Sequence, residues 1–214
     1  MADTKVLIIT NEMGPYVEET HQAEFARAIP QQMQEQGMEV RCFMPRFGDI
    51  NERKHRLHEV IRLSGINVPV GEFDNPMIIK VASLPSPKMQ VYFVDNEDFF
   101  HKRNRFYDNN GSFYEDNDER AIFFNKGAIE ILLKLGWMPD VIHCHGWMTG
   151  LIPLYARTIY KNEPVFRQGK IVYTAYRDVI DEPLGEHFVK KTHLKRNADK
   201  VKETLTNPRP VDIQ

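Results

Sequence analysis

Two histidines stand two residues apart in the run Asp140-Val141-Ile142-His143-Cys144-His145-Gly146-Trp147-Met148-Thr149-Gly150. Val141–Cys144 is apolar enough for a short strand, on which both imidazoles share one face while Cys144 takes the other. Paired imidazoles can move protons, hydrogen-bond a ligand or bind a metal. A zinc site needs a third ligand on that face, and none is evident in the sequence. The structural alternative, imidazoles bonded to backbone carbonyls at a strand end, stands equally open. No Ser-His-Asp or Cys-His set can be ordered along the chain.

The elements that must position these residues follow from the apolar pattern. Val6–Ile9 is a continuous apolar run, as in a parallel strand buried on both faces. A helix over His21–Gln36 follows, with Ala26, Ile29 and Met33 on one face, Gly37 as its stop, and Pro30 expected to bend or split it. Val40–Met44 is the second strand, and the opening is Rossmann-like. Leu57–Leu63, Met77–Ser83 and Met89–Val94 read as strands of a small antiparallel excursion spanning about residues 55–95. Asp95–Asp118 is an aromatic and polar loop whose Phe99, Phe100, Phe106, Tyr107, Phe113 and Tyr114 pack it, with a carbohydrate platform as the alternative. Asp116-x-x-Glu119 resembles a capping box, and Ala121, Phe124, Ala128, Ile131, Leu132 and Leu135 form the stripe of a helix closed by Gly136. Capping also explains the acidic run Glu115–Glu119 better than calcium does, because the spacing is not that of a calcium loop. Arg120 reads as an ion-pair partner. Strand Val141–Cys144, helix Thr149–Ile159 and strand Lys170–Thr174 complete an α/β domain with a doubly wound parallel sheet over residues 1–180. Residues 181–214, with Lys190, Lys191, Lys195, Arg196, Lys200 and Lys202, read as a polar, basic helical tail. Polar groups at the carboxyl end of a buried strand are where such sheets bind ligands, so His143–Thr149 is the candidate site.

Composition narrows the functional classes. The chain has 214 residues, 42% of them apolar, enough for a real core. With 28 basic and 30 acidic side chains its net charge is -2, which gives no field for nucleic acid or an anionic membrane. Cys42 and Cys144 fall in expected strands and make no disulfide framework, Lys5 leads straight into a strand, and no apolar run is long enough for a membrane span. A cytoplasmic protein without metal or cofactor is the expectation.

Several motifs in order resemble one family. Lys5-Val-Leu-Ile-Ile-Thr-Asn-Glu12-Met-Gly-Pro15 is similar to K-(V/I)-L-F-V-x-x-E-x-x-P. Tyr92-Phe-Val-Asp-Asn96-x-x-Phe99-Phe100, Asp116-Asn-Asp-Glu119-Arg120 and the block at His143 match the family in register. The chain resembles the amino-terminal catalytic domain of the starch and bacterial glycogen synthases (glycosyltransferase family 5) from Lys5 to about Thr174. That resemblance implies one half of a GT-B fold, and an enzyme moving glucose from a nucleotide diphosphate glucose to an α-1,4-glucan.

It also implies roles and shows departures. His145 is the implied catalytic or sugar-contacting residue, with Glu12, His143, Trp147 and Thr149 as substrate-binding candidates, while Arg177, at a position where the chain departs from the family, is a substrate-binding candidate as a group that could meet an anion. Trp147 stacks on a sugar ring or anchors the strand–helix corner. Gly146 stands where the family has Asp, Met148 where it has His or Gln, and Tyr176-Arg177 where it has His-Asn. The family's phosphate loop, K-(T/S)-G-G-L, aligns with Glu18-Glu19-Thr20-His21-Gln22. A lysine and two glycines that would approach a phosphate are absent, so this loop is not expected to bind phosphate in the family's manner. The alternative for Glu18 and Glu19 is capping of the following helix. These departures imply a short variant with a degraded site, inactive by itself. Its other readings are a glucan- or protein-binding scaffold, a homo-oligomer, or one subunit of a split synthase whose partner supplies the nucleotide domain.

Overall fold

The computed structural model describes residues 4–17, 20–85, 88–177, 180–194, 203 and 205–214. Its frame is a parallel sheet. Strand β1 (Lys5–Thr10) is buried along Val6–Ile9 and lies between β2 (Glu39–Pro45) and β7 (Val141–His145). Strand β6 (Lys88–Asp95) pairs parallel with β2, and β8 (Lys170–Thr174) parallel with β7. The parallel order is therefore β6-β2-β1-β7-β8, the doubly wound arrangement expected from the alternating pattern. Helix α1 (His21–Glu35) follows β1 and runs on through Pro30, which is buried, instead of splitting there. Helix α3 (Asn117–Leu135) is buried along most of its length and ends on Gly136, whose left-handed φ of 60° closes the last turn.

The antiparallel part differs from expectation. A four-residue helix, α2 (Glu52–His55), precedes β3 (His58–Glu59), β4 (Ile66–Val70) and β5 (Phe73–Pro85). Leu57–Leu63 keeps only the two residues of β3 as strand, and Met89–Val94 belongs to the parallel layer as β6. Strand β5 is thirteen residues long and pairs antiparallel with β6, carrying β3 and β4 on its other edge. The excursion is thus a wing of the main sheet. Among the described residues no long helix crosses over between β2 and β6.

Two further readings change. Asp116 makes no side-chain cap; its carboxylate takes Arg103 through two bonds of 2.5 and 2.7 Å. A bidentate guanidinium is the stronger partner for that carboxylate. Arg120 is fully buried and meets carbonyls, not a carboxylate. It donates to Phe99 O (2.8 Å), Asn104 O (2.9 Å), Arg105 O (2.7 Å) and Asn117 Oδ1 (2.6 Å). The aromatic loop does pack on itself and the core, with Phe47 against Phe100 and Phe106, and Phe99 and Phe100 against Phe123.

The described part of residues 181–214 carries apolar side chains that are buried rather than solvated. Leu184, Phe188, Leu194, Leu205 and Ile213 are buried, and these apolar side chains hold the segment against the domain. Its short helix α6 (Phe188–Thr192) is pinned to α3 by Lys191, 2.7 Å from Asp118 and 2.8 Å from Glu119. The 3₁₀ turn Pro210–Ile213 brings Ile213 so close to Gly150 that a Cβ there would lie 2.8 Å from the Ile213 carbonyl carbon. Lys195, Arg196, Lys200 and Lys202 lie outside the described residues. Helices α4 (Leu151–Arg157) and α5 (Pro164–Gln168) complete the layer, and no helix among the described residues is long and apolar enough to cross a membrane.

Candidate functional site

In this strand order β1 has β2 on one side and β7 on the other, so the crossover direction reverses between β1 and β7. The carboxyl ends of these strands open a crevice there. Thr10 pairs with His145, which sets Asn11 and Glu12 from one strand beside Gly146 from the other. Strand β8 adds Thr174 and then Tyr176, and the first turn of α1 adds Gln22.

His143 and His145 share one face as expected, their ring centroids 4.0 Å apart. His143 Nε2 lies 2.8 Å from Thr174 Oγ1. His145 is fully buried, with Nδ1 3.0 Å from the Tyr176 hydroxyl and Nε2 without a partner among the described residues. Burial, reinforced by the neighbouring His143, pushes the His145 pKa down to about 3, and burial also lowers His143. His145 is therefore a neutral imidazole at physiological pH. An NMR titration should find it uncharged throughout pH 5–8; a protonation midpoint near 6.5 would contradict the burial. Because the folded pKa lies below the unfolded one, the unfolded chain takes the proton first as pH falls below the ordinary histidine value. This group's contribution to stability is present above about pH 6.5 and is lost on acidification towards pH 3.

Gly146 adopts φ 79° and ψ 164°, a region held almost only by glycine. Its carbonyl accepts from Thr149 Oγ1 (2.8 Å) and from the Tyr173 hydroxyl (2.7 Å). Thr149 is fully buried and spends its hydroxyl on this turn. A Cβ at position 146 would run into Asn11 Oδ1 and Gln22 Nε2 and lie 2.7 Å from Gln22 Oε1. The space beside the glycine is thus already filled by two amides. Met148 is buried too, its carbonyl accepting from Asn125 Nδ2 at 2.6 Å.

Glu12 is nearly buried and doubly engaged. Oε2 accepts from Thr20 Oγ1 at 2.5 Å, and Oε1 lies 3.4 Å from Arg105 Nη1. Thr20 is also the N-cap of α1, accepting from Ala23 N at 3.0 Å. A carboxylate of the chain therefore sits at the helix end where the phosphate-loop alignment falls. His21 is the exposed first residue of α1. Glu18 and Glu19 lie outside the described residues. Arg177 is exposed and has no partner among the described residues.

A pocket of about 170 Å³ remains at the mouth, walled by Glu12, Gln22, Phe106, Trp147, Tyr176 and Gln214 among others. That is below the roughly 300–1,000 Å³ of drug-sized ligand sites. Trp147 is buried against Phe106, ring centroids 5.2 Å apart, and its Nε1 has no partner among the described residues. No group of three metal-binding side chains occurs among the described residues. The structure thus brings His143, His145, Glu12, Trp147 and Thr149 together at one crevice. Asn11, Gln22 and Gln214 were missed. Asn11 could have been found because it follows the last residue of β1, whereas the burial of Gln22 against the sheet is set by contacts distant in sequence. Nothing in the sequence marks Gln214.

The fold and site define a Rossmann-like α/β domain with a polar cleft at its topological switch point, the arrangement of a GT-B glycosyltransferase half. A family model described as the starch synthase catalytic domain matches residues 5–211, and the chain belongs to that family. The match continues past Thr174, through the segment that packs back on α3. A glycogen synthase of Chlorobium luteolum is 40% identical over 219 aligned positions, covering 98% of this chain and 44% of that protein. A glycogen synthase of Chlorobium phaeobacteroides is 44% identical with the same coverages. The chain thus spans less than half the length of these relatives. The solved catalytic domain of starch synthase IV from Arabidopsis thaliana, bound to ADP and acarbose, superposes with a TM-score of 0.76 at 19% identity. That superposition covers 92% of this chain and 38% of the other, a likeness of fold.

Proposed function

We propose that this chain is a glycogen or starch synthase-type domain that does not itself transfer glucose. The observation that carries this is the filled cleft floor: Asn11 and Gln22 occupy the space beside Gly146, and His145 is neutral and fully buried. The lysine and glycine pair with which the family's loop meets a diphosphate are also absent from Glu18-Glu19-Thr20-His21-Gln22 at the start of α1. The matching test is incubation of the purified chain with ADP-glucose or UDP-glucose and a glucan primer. No elongation is expected, and polymer growth by the chain alone would refute the proposal.

A second reading is favoured by what the cleft retains. The small aromatic pocket at Trp147 and Tyr176 suits one uncharged ring, consistent with a glucan-binding or scaffold role in cytoplasmic glycogen synthesis. A protein partner that supplies the nucleotide-binding half, or a second copy of the chain, is compatible with the same cleft. Retention on immobilised glycogen is the expected result, and free elution of folded protein would remove the glucan reading.

A further inference from the structure

A second concavity, with no lining residue in common with the cleft pocket, is bordered by Pro15 and Tyr16 of the loop that follows Glu12. It holds about 650 Å³, within the size range of small-molecule sites, and is walled by Lys54, His55, Arg56 and His58 with Ser83 from β5. Its floor is fixed, because the Tyr16 ring packs edge-on against His55 at 5.0 Å and Phe93 at 4.9 Å. The lining holds no carboxylate among the described residues. Glu52, which could have neutralised the run, is turned inward onto Arg46 and Lys80, the latter at 2.7 Å. The Lys54 and Arg56 side chains have no acidic partner among the described residues. Arg56 is the left-handed C-cap of α2 at φ 54°, and its N–H closes the last turn, which fixes where its side chain leaves the backbone.

Cations at the end of a helix are often no more than complements to its dipole, but a four-residue helix has little dipole to complement. Here the basic groups converge with a hydroxyl from another strand on one hollow. We infer that this hollow binds a phosphate-bearing small molecule. Arg56 offers the planar fork suited to phosphoryl oxygens, Lys54 a point charge, and Ser83 a hydroxyl donor. The volume exceeds what one inorganic ion needs and leaves room for a carbon frame over the floor. The site is independent of whether the cleft transfers sugar.

The test is a titration of the full chain with inorganic pyrophosphate and, separately, ribose 5-phosphate, followed by backbone amide NMR. Saturable shifts at residues 54–58 and 83 are expected, with tighter binding of ribose 5-phosphate if the floor takes a carbon frame. Lys54→Glu with Arg56→Glu should weaken binding at least about tenfold, as loss of charged hydrogen bonds does, while Lys161→Glu in the exposed α4–α5 turn should not. If the reversal variant fails to fold, Lys54→Gln with Arg56→Gln makes the same comparison. No shifts at about 10 mM of either probe, or shifts unaffected by the Lys54/Arg56 variants, would overturn the inference.

Discussion

Replacing Gly146 with the aspartate usual in the family should destabilise the chain by on the order of 3–5 kcal/mol. Two costs add. The φ/ψ pair of 79° and 164° costs any residue with a Cβ about 1–3 kcal/mol, and forcing a side chain against the Asn11 and Gln22 amides costs about as much again. A buried carboxylate beside Glu12 can only add to this. In a chain of this size the melting temperature should fall by roughly 6–20 °C. Adding Gln22→Leu should relieve the Gln22 contact but leave the Asn11 contact and the backbone part, so less than half the loss returns. Thermal denaturation of the single and double variants measures both. A melting temperature within about 2 °C of the parent would mean that the turn relaxes freely and the cleft floor is not filled as described. The substitution is therefore a change of backbone as well as of side chain, and restoring one residue does not restore the family's cleft.

The second large effect is expected at Arg120. Its guanidinium holds three carbonyls of the loop between β6 and α3, so Arg120→Ala leaves several buried acceptors unpaired at once. The loss should be on the order of 4 kcal/mol. Arg120→Lys should rescue little, since one ammonium cannot reach four acceptors in the plane of a guanidinium. Burial lowers its pKa to about 10, yet the side chain remains cationic at neutral pH. Denaturant unfolding gives the energies, and proteolysis within residues 96–116 should quicken in both variants. An unchanged cleavage rate would separate Arg120 from the order of this loop.

What the sequence disclosed follows from how strongly each element repeats. β1, β7 and β8 are short apolar runs on a buried sheet, and α3 carries a long stripe, so their type and order were legible. β4 escaped notice because Pro69 sits inside it. Proline is tolerated there because β4 is an edge strand paired only with β5. The docked segment escaped for another reason: Leu184, Phe188, Leu194, Leu205 and Ile213 follow no helical or strand period among many charges. At the site, the strand-end rule located His143 and His145 and their shared face. It could not reveal that Tyr176 and Gln22 close over them, since those contacts join residues 31 and 123 positions apart. Capping by Asp116 failed because a distant arginine, invisible to local pattern, competed for the same carboxylate.

The central place of β1 also bears on how the chain is made. Lys5–Thr10 leaves the ribosome before β2 and meets it soon after, but its other edge waits for Val141–His145, about a hundred residues beyond β2. At about 5–20 residues per second that interval is roughly 5–20 s. Throughout it, the nascent protein exposes an unpaired strand edge along Val6–Ile9, a template for wrong pairing with other chains. Recovery of soluble protein should therefore depend on what shields that edge during synthesis more than on the final stability of the sheet.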